Sequence, residues 1–170
     1  MAWCFRPWHD RHAPTSGTAV TAALVVASAV LSPPASADNK RLNDSVVANV
    51  YTLQHQAGCT TNLKINLQLQ LAAQWHSDDL LNNSQLDSDV GSDGSTVQDR
   101  ARAAGYRGVV AETVAINPSL AINNLDILDN WYYRPDYYAI MANCANTQIG
   151  VWSGNSIGRS VAVAVYGQPA

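Results

Sequence analysis

The sequence predicts an α+β fold, and two observations support this class. Three helical patterns come first along the chain, followed by an apolar strand, a fourth helix and two β-rich runs at the end. Apolar residues also recur with the helical period in the first segments, whereas later segments are continuous β-branched runs of the kind typical of strands. Elements in this order favour mixed layers of helix and sheet around one core.

Residues 1–37 have the features of a secretion signal. Arg6 and Arg11 precede an uncharged apolar run over residues 19–31, and Ala35-Ser36-Ala37 supplies a small-x-small cleavage pattern. The run is shorter than the ~20 residues that a membrane-spanning helix needs. We therefore expect a mature chain, residues 38–170, with a single domain and no transmembrane segment. It would be secreted, either extracellular or in the cell envelope; an uncleaved N-terminal anchor is the alternative.

Cysteine usage and charge agree with export. Cys59 and Cys144 are the two cysteines of residues 38–170. An even pair in an oxidising compartment predicts a disulfide, since two distant thiols are too few for a metal site. The whole chain has a formal net charge of −3, and its basic residues do not cluster. Nucleic acid is therefore not expected as a partner.

The first three helices have separate signals. The first spans residues 42–57, with Leu42, Val46, Val50 and Leu53 on one face. The second opens at Asn66 and has one face of Leu69, Ala72, Ala73, His76 and Leu80. The third is predicted over 96–104, with Ser95 and Gln98 as its capping box and Gly105 as its end.

The rest of the chain predicts a strand, a helix and a hairpin. The strand is Val109 to Ile116, with Glu112 in its middle, and the helix runs from about Leu120 to Tyr132. Residues 134–136, which include a proline, break that helix, and residues 137–146 are expected to be irregular or a single helical turn. The hairpin pairs residues 147–152 with 160–166 across the connection SGNSIGR.

Several segments resemble one known family in the same order along the chain. They are the helix segment LAAQWHSDDL (71–80), the loop GSDGS (91–95), the strand AETVA (111–115), Trp131 with RPDYY (134–138), and TQIGV (147–151) with Tyr166-Gly167. Over residues 42–168 the chain resembles the CAP superfamily of cysteine-rich secretory, antigen 5 and pathogenesis-related 1 proteins, in its bacterial secreted form. The resemblance implies a CAP-type α-β-α sandwich with an antiparallel sheet.

The departures from the family pattern bear on function. Many CAP domains have a cleft with two histidines and acidic residues, and some bind a divalent metal there. Here Asp89 follows Ser88 where bacterial relatives often have a histidine, and Tyr137 stands where the family has a second one. Glu112 is the cleft group that is kept. With the cleft histidines replaced, we expect neither a metal nor another cofactor.

The candidate binding residues are Glu112, Asp89, Tyr137 and His76. A lone histidine on an apolar helix face is more often a hydrogen-bonded core residue than a catalyst, which favours a structural role for His76. Glu112 in an apolar strand is either a site residue or a buried carboxylate that needs partners, because an unpaired buried charge is costly. Asp99 and Arg100 are expected to make structural ion pairs or loop contacts.

The favoured function is a secreted, non-catalytic CAP-domain protein. It would bind a small apolar or envelope-derived ligand, or a partner protein, through a cleft around Glu112, and we assign no catalytic residue. Aromatic residues of segment 131–138 could line that cleft and stack on sugar rings or pack on lipid. The alternative is a hydrolase of peptide or cell-wall material that uses Glu112 and Asp89 as a carboxylate pair with His76 assisting. A structural envelope protein is a third possibility.

Overall fold

A computed structural model describes residues 36–118 and 121–170. The predicted secretion signal lies almost entirely outside these residues, and so does Leu120, the first residue of the predicted fourth helix. The elements follow in the order α1 (Ser36–Gln56), β1 (Lys64–Ile65), α2 (Leu67–Asn82), α3 (Val97–Ala103), β2 (Val109–Asn117), α4 (Asn124–Tyr132), α5 (Pro135–Met141), β3 (Gln148–Ser156) and β4 (Arg159–Gln168).

The four strands form one sheet in the order β1-β3-β4-β2. β4 is antiparallel to β3 on one side and to β2 on the other, as the predicted hairpin requires. The two-residue β1, which the sequence did not signal, adds to β3 in parallel. The sheet is therefore mixed, and its three long strands are antiparallel.

Alternation along β4 explains why helices cover both faces of the sheet. Val161, Val163 and Val165 pack with α2 and α3, whereas Ala162, Ala164 and Tyr166 pack with α1, α4 and α5. Since neighbouring strand residues point to opposite faces, an apolar strand of this kind needs a cover on each side. The result is the α-β-α sandwich that the family resemblance implied, so the predicted fold class is confirmed.

The sheet and α2 approach each other at Gly150. A Cβ atom built on Gly150 would lie 2.0 Å from the backbone nitrogen of Gln70. Asn66 starts α2 just beyond β1, where its side chain accepts hydrogen bonds from the N–H groups of Gln68 and Leu69. The predicted start of the second helix is therefore confirmed, and the lack of a side chain at Gly150 allows this helix to pack directly on β3.

Two predicted helix starts are wrong, and side-chain caps explain both. α3 is capped by Thr96 with Asp99, one residue later than the predicted Ser95 and Gln98. Threonine and aspartate form the same reciprocal pair as the predicted residues, so the sequence alone did not separate the two registers. α4 begins at Asn124, later than predicted, because Asn123 forms a second capping box with Asp126.

The segment after α4 is more regular than predicted. Residues 137–146 were expected to be irregular or a single turn, but α5 spans Pro135–Met141. Pro135 occupies the first turn of that helix. Backbone N–H groups there have no acceptor within the helix, so the N–H that proline lacks costs no hydrogen bond. The hairpin connection is also shorter than predicted, since β3 and β4 continue to a two-residue turn at Ile157-Gly158, where Gly158 has a φ of 111°.

Candidate functional site

Glu112 lies on the edge strand β2, and its side chain is buried between α2 and α3. It is 4% exposed, and both carboxylate oxygens have partners. Oε1 lies 3.0 Å from Nδ1 of His76, and Oε2 accepts a hydrogen bond of 2.7 Å from Nη2 of Arg100. The carboxylate therefore forms a buried ion pair with arginine, which offsets the cost of removing its charge from water.

Arg100 connects this carboxylate to the loop between α2 and α3. Nη2 also donates to the backbone oxygen of Asp89 at 3.0 Å, and Nη1 donates to the backbone oxygen of Ser95 at 2.8 Å. The sequence predicted structural ion pairs or loop contacts for Arg100, and both are present, but it did not connect Arg100 to Glu112. A buried carboxylate in an apolar strand was the available signal, because such a group needs a cation or hydrogen-bond donors nearby.

His76 completes the cluster and is fully buried. Its Nδ1 lies 3.0 Å from Glu112 Oε1 and 3.1 Å from Arg100 Nη2. Nδ1 can donate to the carboxylate or accept from the guanidinium, depending on which ring nitrogen carries the proton. Nε2 is also buried, and no described residue provides a partner for it. We call His76, Arg100 and Glu112 the buried cluster.

The rim of the cluster is formed by Asp89 and Tyr137. The Tyr137 hydroxyl donates to Asp89 Oδ1 at 3.2 Å, and the guanidinium of Arg134 stacks 3.6 Å above the centre of the Tyr137 ring. Burial, together with the nearby charge of Asp89, raises the pKa of Tyr137 to about 12. Asp89 itself is exposed, whereas Tyr137 is covered.

The loop that carries Asp89 is also attached to α2. Asp79 accepts hydrogen bonds from the backbone N–H of Ser92 at 2.7 Å and from the Ser92 hydroxyl at 2.6 Å. Partial burial acts to raise the pKa of Asp79, but the hydrogen bonds from Ser92 and Asn83 outweigh it and hold the pKa below its usual range. The position of Asp89 is therefore fixed from both sides of the loop.

The structure thus places the four predicted residues close together, although only Asp89 is exposed. Glu112 and His76 contact each other, Arg100 connects Glu112 to the loop, and Tyr137 contacts that loop at Asp89. The sequence predicted a cleft around Glu112, whereas the structure buries the Glu112 carboxylate beside His76 and Arg100. A ligand that reached Glu112 would have to displace the guanidinium.

The donor set does not match a divalent metal ion. Within residues 36–118 and 121–170, no three histidine, cysteine, aspartate or glutamate side chains converge as metal ligands. The positively charged guanidinium of Arg100 contacts both His76 and Glu112, which would repel a cation at that position. No step of chemistry is therefore assigned to a metal.

Three exposed tyrosines lie beside the rim. Tyr132, Tyr133 and Tyr138 are 50%, 77% and 37% exposed. The ring of Tyr132 makes edge contacts with the rings of Tyr133 and Tyr138 at centroid distances of 5.4 and 5.3 Å. We call these three residues the tyrosine surface. It flanks Arg134 and Tyr137 along the chain.

Cys59 and Cys144 form a disulfide, which confirms the predicted pair. Their Cα atoms lie 5.2 Å apart, and the bond joins residues separated by 85 positions. It connects the loop after α1 to the loop before β3. No helix among the described residues is long and apolar enough to cross a membrane.

Fold and sequence together define the class of protein. The model of the CAP, cysteine-rich secretory protein family matches residues 41–166, and the chain belongs to this family. A comparison with curated proteins gives no match.

Solved structures show the same fold. An outer surface protein of Borrelia burgdorferi superposes with a TM-score of 0.67 at 15% identity, covering 78% of this chain and 96% of that one. An extracellular SCP-domain protein of Bacillus anthracis gives a TM-score of 0.59 at 16% identity, covering 81% of this chain and 45% of that one. A cysteine-rich secretory protein of Staphylococcus aureus gives a TM-score of 0.57 at 15% identity, covering 78% of this chain and 40% of that one. This chain spans less than half of the latter two.

Proposed function

We propose that this chain is a secreted, non-catalytic binding protein of the CAP family. Its ligand would be an envelope-derived glycan that contacts the tyrosine surface and the adjoining rim of Asp89 and Tyr137. Export is supported by the signal pattern of residues 1–37 and by the Cys59–Cys144 disulfide, which is typical of an oxidising compartment. The solved relatives include extracellular and outer surface proteins.

One observation supports the proposal that the protein is not a catalyst. Both oxygens of Glu112 are occupied, one by His76 and the other by Arg100. A general acid or base must come within hydrogen-bond reach of the proton that it transfers. Glu112 and His76 are buried, so neither reaches a substrate unless Arg100 moves.

The alternative of a hydrolase has less support. A pair of carboxylates divides acid and base roles when both face one substrate. Here the Glu112 carboxylate faces Arg100 and His76, whereas the Asp89 carboxylate accepts from the Tyr137 hydroxyl. The two groups are directed to different partners.

The ligand class follows from the tyrosine surface. Tyr132 makes edge contacts with both Tyr133 and Tyr138, and the three side chains present broad apolar faces together with hydroxyl groups. Rings of this kind combine a large apolar contact area with a polar tip. A sugar has a matching combination of C–H faces and hydroxyls, which favours a glycan over an acyl chain.

The proposal is tested by titrating the protein with soluble peptidoglycan fragments and chitin oligomers in a calorimeter. Tyr133→Ala and Tyr138→Ala should each weaken binding about fivefold, since one aromatic contact is worth about 1 kcal/mol. Tyr51→Ala is the matched control, because Tyr51 is also exposed but lies on α1 against His55. An equal loss in the control, or no glycan binding at all, would exclude the glycan and favour a protein partner.

The same samples test catalysis. Fragments incubated with the wild-type protein should be recovered intact by mass spectrometry. Hydrolysis that disappears in Glu112→Gln, with the fold retained by circular dichroism, would overturn the non-catalytic assignment.

A further inference from the structure

Large apolar side chains lie in a row on the solvent-facing side of α2. Leu67, Leu71 and Trp75 follow one another at intervals of four residues, so they share one side of the helix. They are 78%, 38% and 40% exposed, whereas Leu69 and Ala73 of the same helix are buried against the sheet. The outer side of a surface helix is normally polar. A contiguous apolar row there indicates an interaction surface.

The row continues from α2 into β1. Ile65 of β1 is 55% exposed. β1 is parallel to β3, and α2 follows β3 in the same direction, since its start lies against Gly150 and its end against Gly154. The chain therefore passes from β1 into α2 without reversing, and the exposed residues form one surface. We call this surface the α2 stripe, and it consists of Ile65, Leu67, Leu71 and Trp75.

Opposite charges lie at the two ends of the α2 stripe. Lys64 precedes it in β1, and Asp78 follows Trp75 by three residues on the same side of α2. Both residues are exposed. Neither forms an ion pair with another residue in the part of the chain that the structure describes. A cation at one end and an anion at the other are therefore available to a partner.

The α2 stripe is chemically self-complementary about Leu71. Four residues away on either side are Leu67 and Trp75, which are both apolar. Seven residues away are Lys64 and Asp78, which have opposite charges. Two copies that cross antiparallel at Leu71 thus place apolar residues on apolar ones and each lysine beside an aspartate. A contact between identical copies about a two-fold axis requires this kind of self-complementarity.

We propose that this protein forms a two-fold symmetric dimer in which the α2 stripes of two copies pack antiparallel. Leu71 lies at the axis and contacts Leu71 of the second copy. Leu67 packs against Trp75, and Lys64 pairs with Asp78, each contact occurring twice. Asp78 lies about 10 Å from Leu71 along the helix. Lys64 lies farther from the axis in the extended β1, and its long, flexible side chain covers the difference.

The size of the α2 stripe fits a weak dimer. A standard stable interface buries about 800 Å² on each partner. α2 has 16 residues and is about 24 Å long, and two helices of this length with one apolar row each form a contact at the low end of interface sizes. The dimer therefore forms at high concentration and dissociates on dilution.

A second copy suits the α2 stripe better than an anionic lipid surface does. The chain has a formal net charge of −3, and Asp78 lies at one end of the stripe. Membrane-surface helices usually carry several basic residues around the apolar face. Here Lys64 is balanced by Asp78, which favours a partner with the same pair of charges in the opposite order.

Sedimentation velocity of the chain, as produced by a secreting host, tests whether the dimer forms. Between ~10 and ~500 µM the wild type should pass from monomer to dimer. Leu71→Ala should raise the dissociation constant at least about tenfold, because a leucine contact is lost from both copies. Tyr51→Ala is the matched control, since Tyr51 is 39% exposed on α1, and it should leave the dissociation constant unchanged.

Exchange of the two charges tests the antiparallel arrangement. Lys64→Glu and Asp78→Lys should each weaken dimerisation about fivefold, because each places like charges opposite one another twice. The double variant, Lys64→Glu with Asp78→Lys, should return to within about twofold of the wild type, since opposite charges meet again.

Cysteine crosslinking tests the position of the axis. Leu71→Cys should form a disulfide-linked dimer on oxidation, because a residue at a two-fold axis meets its own copy. Leu67→Cys should not crosslink alone, but it should crosslink when it is mixed with Trp75→Cys. Cys59 and Cys144 are already bonded to each other, so they do not compete.

Four results would overturn the proposal. They are a wild type that stays monomeric at ~500 µM, equal losses in Leu71→Ala and Tyr51→Ala, no recovery in the charge-exchange variant, and ready crosslinking of Leu67→Cys alone. A monomeric wild type whose binding to phosphatidylglycerol vesicles is lost in Leu71→Ala would assign the α2 stripe to lipid instead. All of the substituted residues are exposed, and circular dichroism with thermal unfolding verifies that each variant is folded.

Discussion

Arg100 and Glu112 form a buried ion pair, with Nη2 of the guanidinium 2.7 Å from Oε2 of the carboxylate. Their positions in the chain are only 12 apart, yet α3 and β2 bring them together across the edge of the sheet. The same guanidinium bonds the backbone oxygen of Asp89 and contacts Nδ1 of His76. One side chain thus joins helix, strand and loop, and its removal should affect all three.

Replacing Arg100 with methionine should destabilise the fold by about 3–5 kcal/mol, because Glu112 would remain buried without a cation. The double variant, Arg100→Met with Glu112→Met, should be more stable than Arg100→Met alone, since no buried charge is left unpaired. Urea unfolding of the wild type, Arg100→Met, Glu112→Met and the double variant gives the coupling energy. Strictly additive costs would show that the pair contributes nothing as a pair.

Mutation of the two possible cap residues of α3 tests the observed helix start against the predicted one. Thr96→Ala should cost about 1 kcal/mol, because the threonine hydroxyl accepts from the Asp99 N–H at 3.2 Å. Ser95→Ala should cost clearly less, since Ser95 is not the cap. Thermal unfolding of the two variants makes the comparison. The reverse order would favour the cap predicted from the sequence.

The hydroxyl of Tyr137 should lose its proton at a higher pH than an ordinary tyrosine. Burial and the charge of Asp89 raise its pKa to about 12, whereas in an unfolded chain the pKa is about 10. Because the folded pKa is the higher one, the contribution to stability is complete below pH ~10 and is lost as the pH rises toward ~12.

The ultraviolet absorbance of the phenolate measures this titration directly. The difference between the wild type and Tyr137→Phe should show one group with a midpoint near pH 12. Asp89→Asn should lower that midpoint, because it removes the opposing charge. A difference curve centred near pH ~10 would contradict the burial of the hydroxyl.

Two glycines of β3 should respond differently to an added methyl group. In Gly150→Ala the new Cβ would lie 2.0 Å from the backbone of Gln70, so α2 must move, at a cost above about 3 kcal/mol. In Gly154→Ala the Cβ meets Cδ1 of Leu81 at 2.6 Å, the end of a flexible side chain, and a cost of about 1 kcal/mol is expected. Equal melting temperatures for the two variants would show that α2 does not pack as described.

The disulfide should contribute substantially to stability. Its two cysteines are 85 positions apart, for which the chain-entropy model gives about 4–5 kcal/mol. Cys59→Ser with Cys144→Ser should lose most of this free energy of unfolding in urea. A reducing agent should shift the wild-type curve toward that of the double variant and leave the double variant itself unchanged. Coincident curves for the oxidised wild type and the double variant would contradict this estimate.

Much of the fold was predictable because its signals are local. The Asn66 cap, the β-branched run that became β2 and the β-rich hairpin each identify an element within a few neighbouring residues. The errors occurred where two local signals were equivalent. Ser95 and Thr96 are both good caps, and Pro135 both ends one helix and begins the next.

The four candidate residues lie together as the sequence suggested, but their arrangement was not predictable, and their role in binding stays a prediction. Glu112, His76, Asp89 and Tyr137 were identified from the sequence, and they do lie together. Their partners depend on contacts across 12 to 48 positions, which periodicity does not specify. For Arg100 the sequence predicted structural ion pairs or loop contacts, and both are present, but it did not identify Glu112 as the partner.

The sequence by itself determined the presence of the first four helices, the three long strands and the pairing of Cys59 with Cys144, because caps, periodicity and cysteine number act locally or by elimination. Only the tertiary structure decided which charge neutralises Glu112 and which side chain holds the loop at Asp89. Both depend on where distant segments meet. Arg100 reaches Glu112 and the backbone oxygen of Asp89 only when α3 packs beside β2.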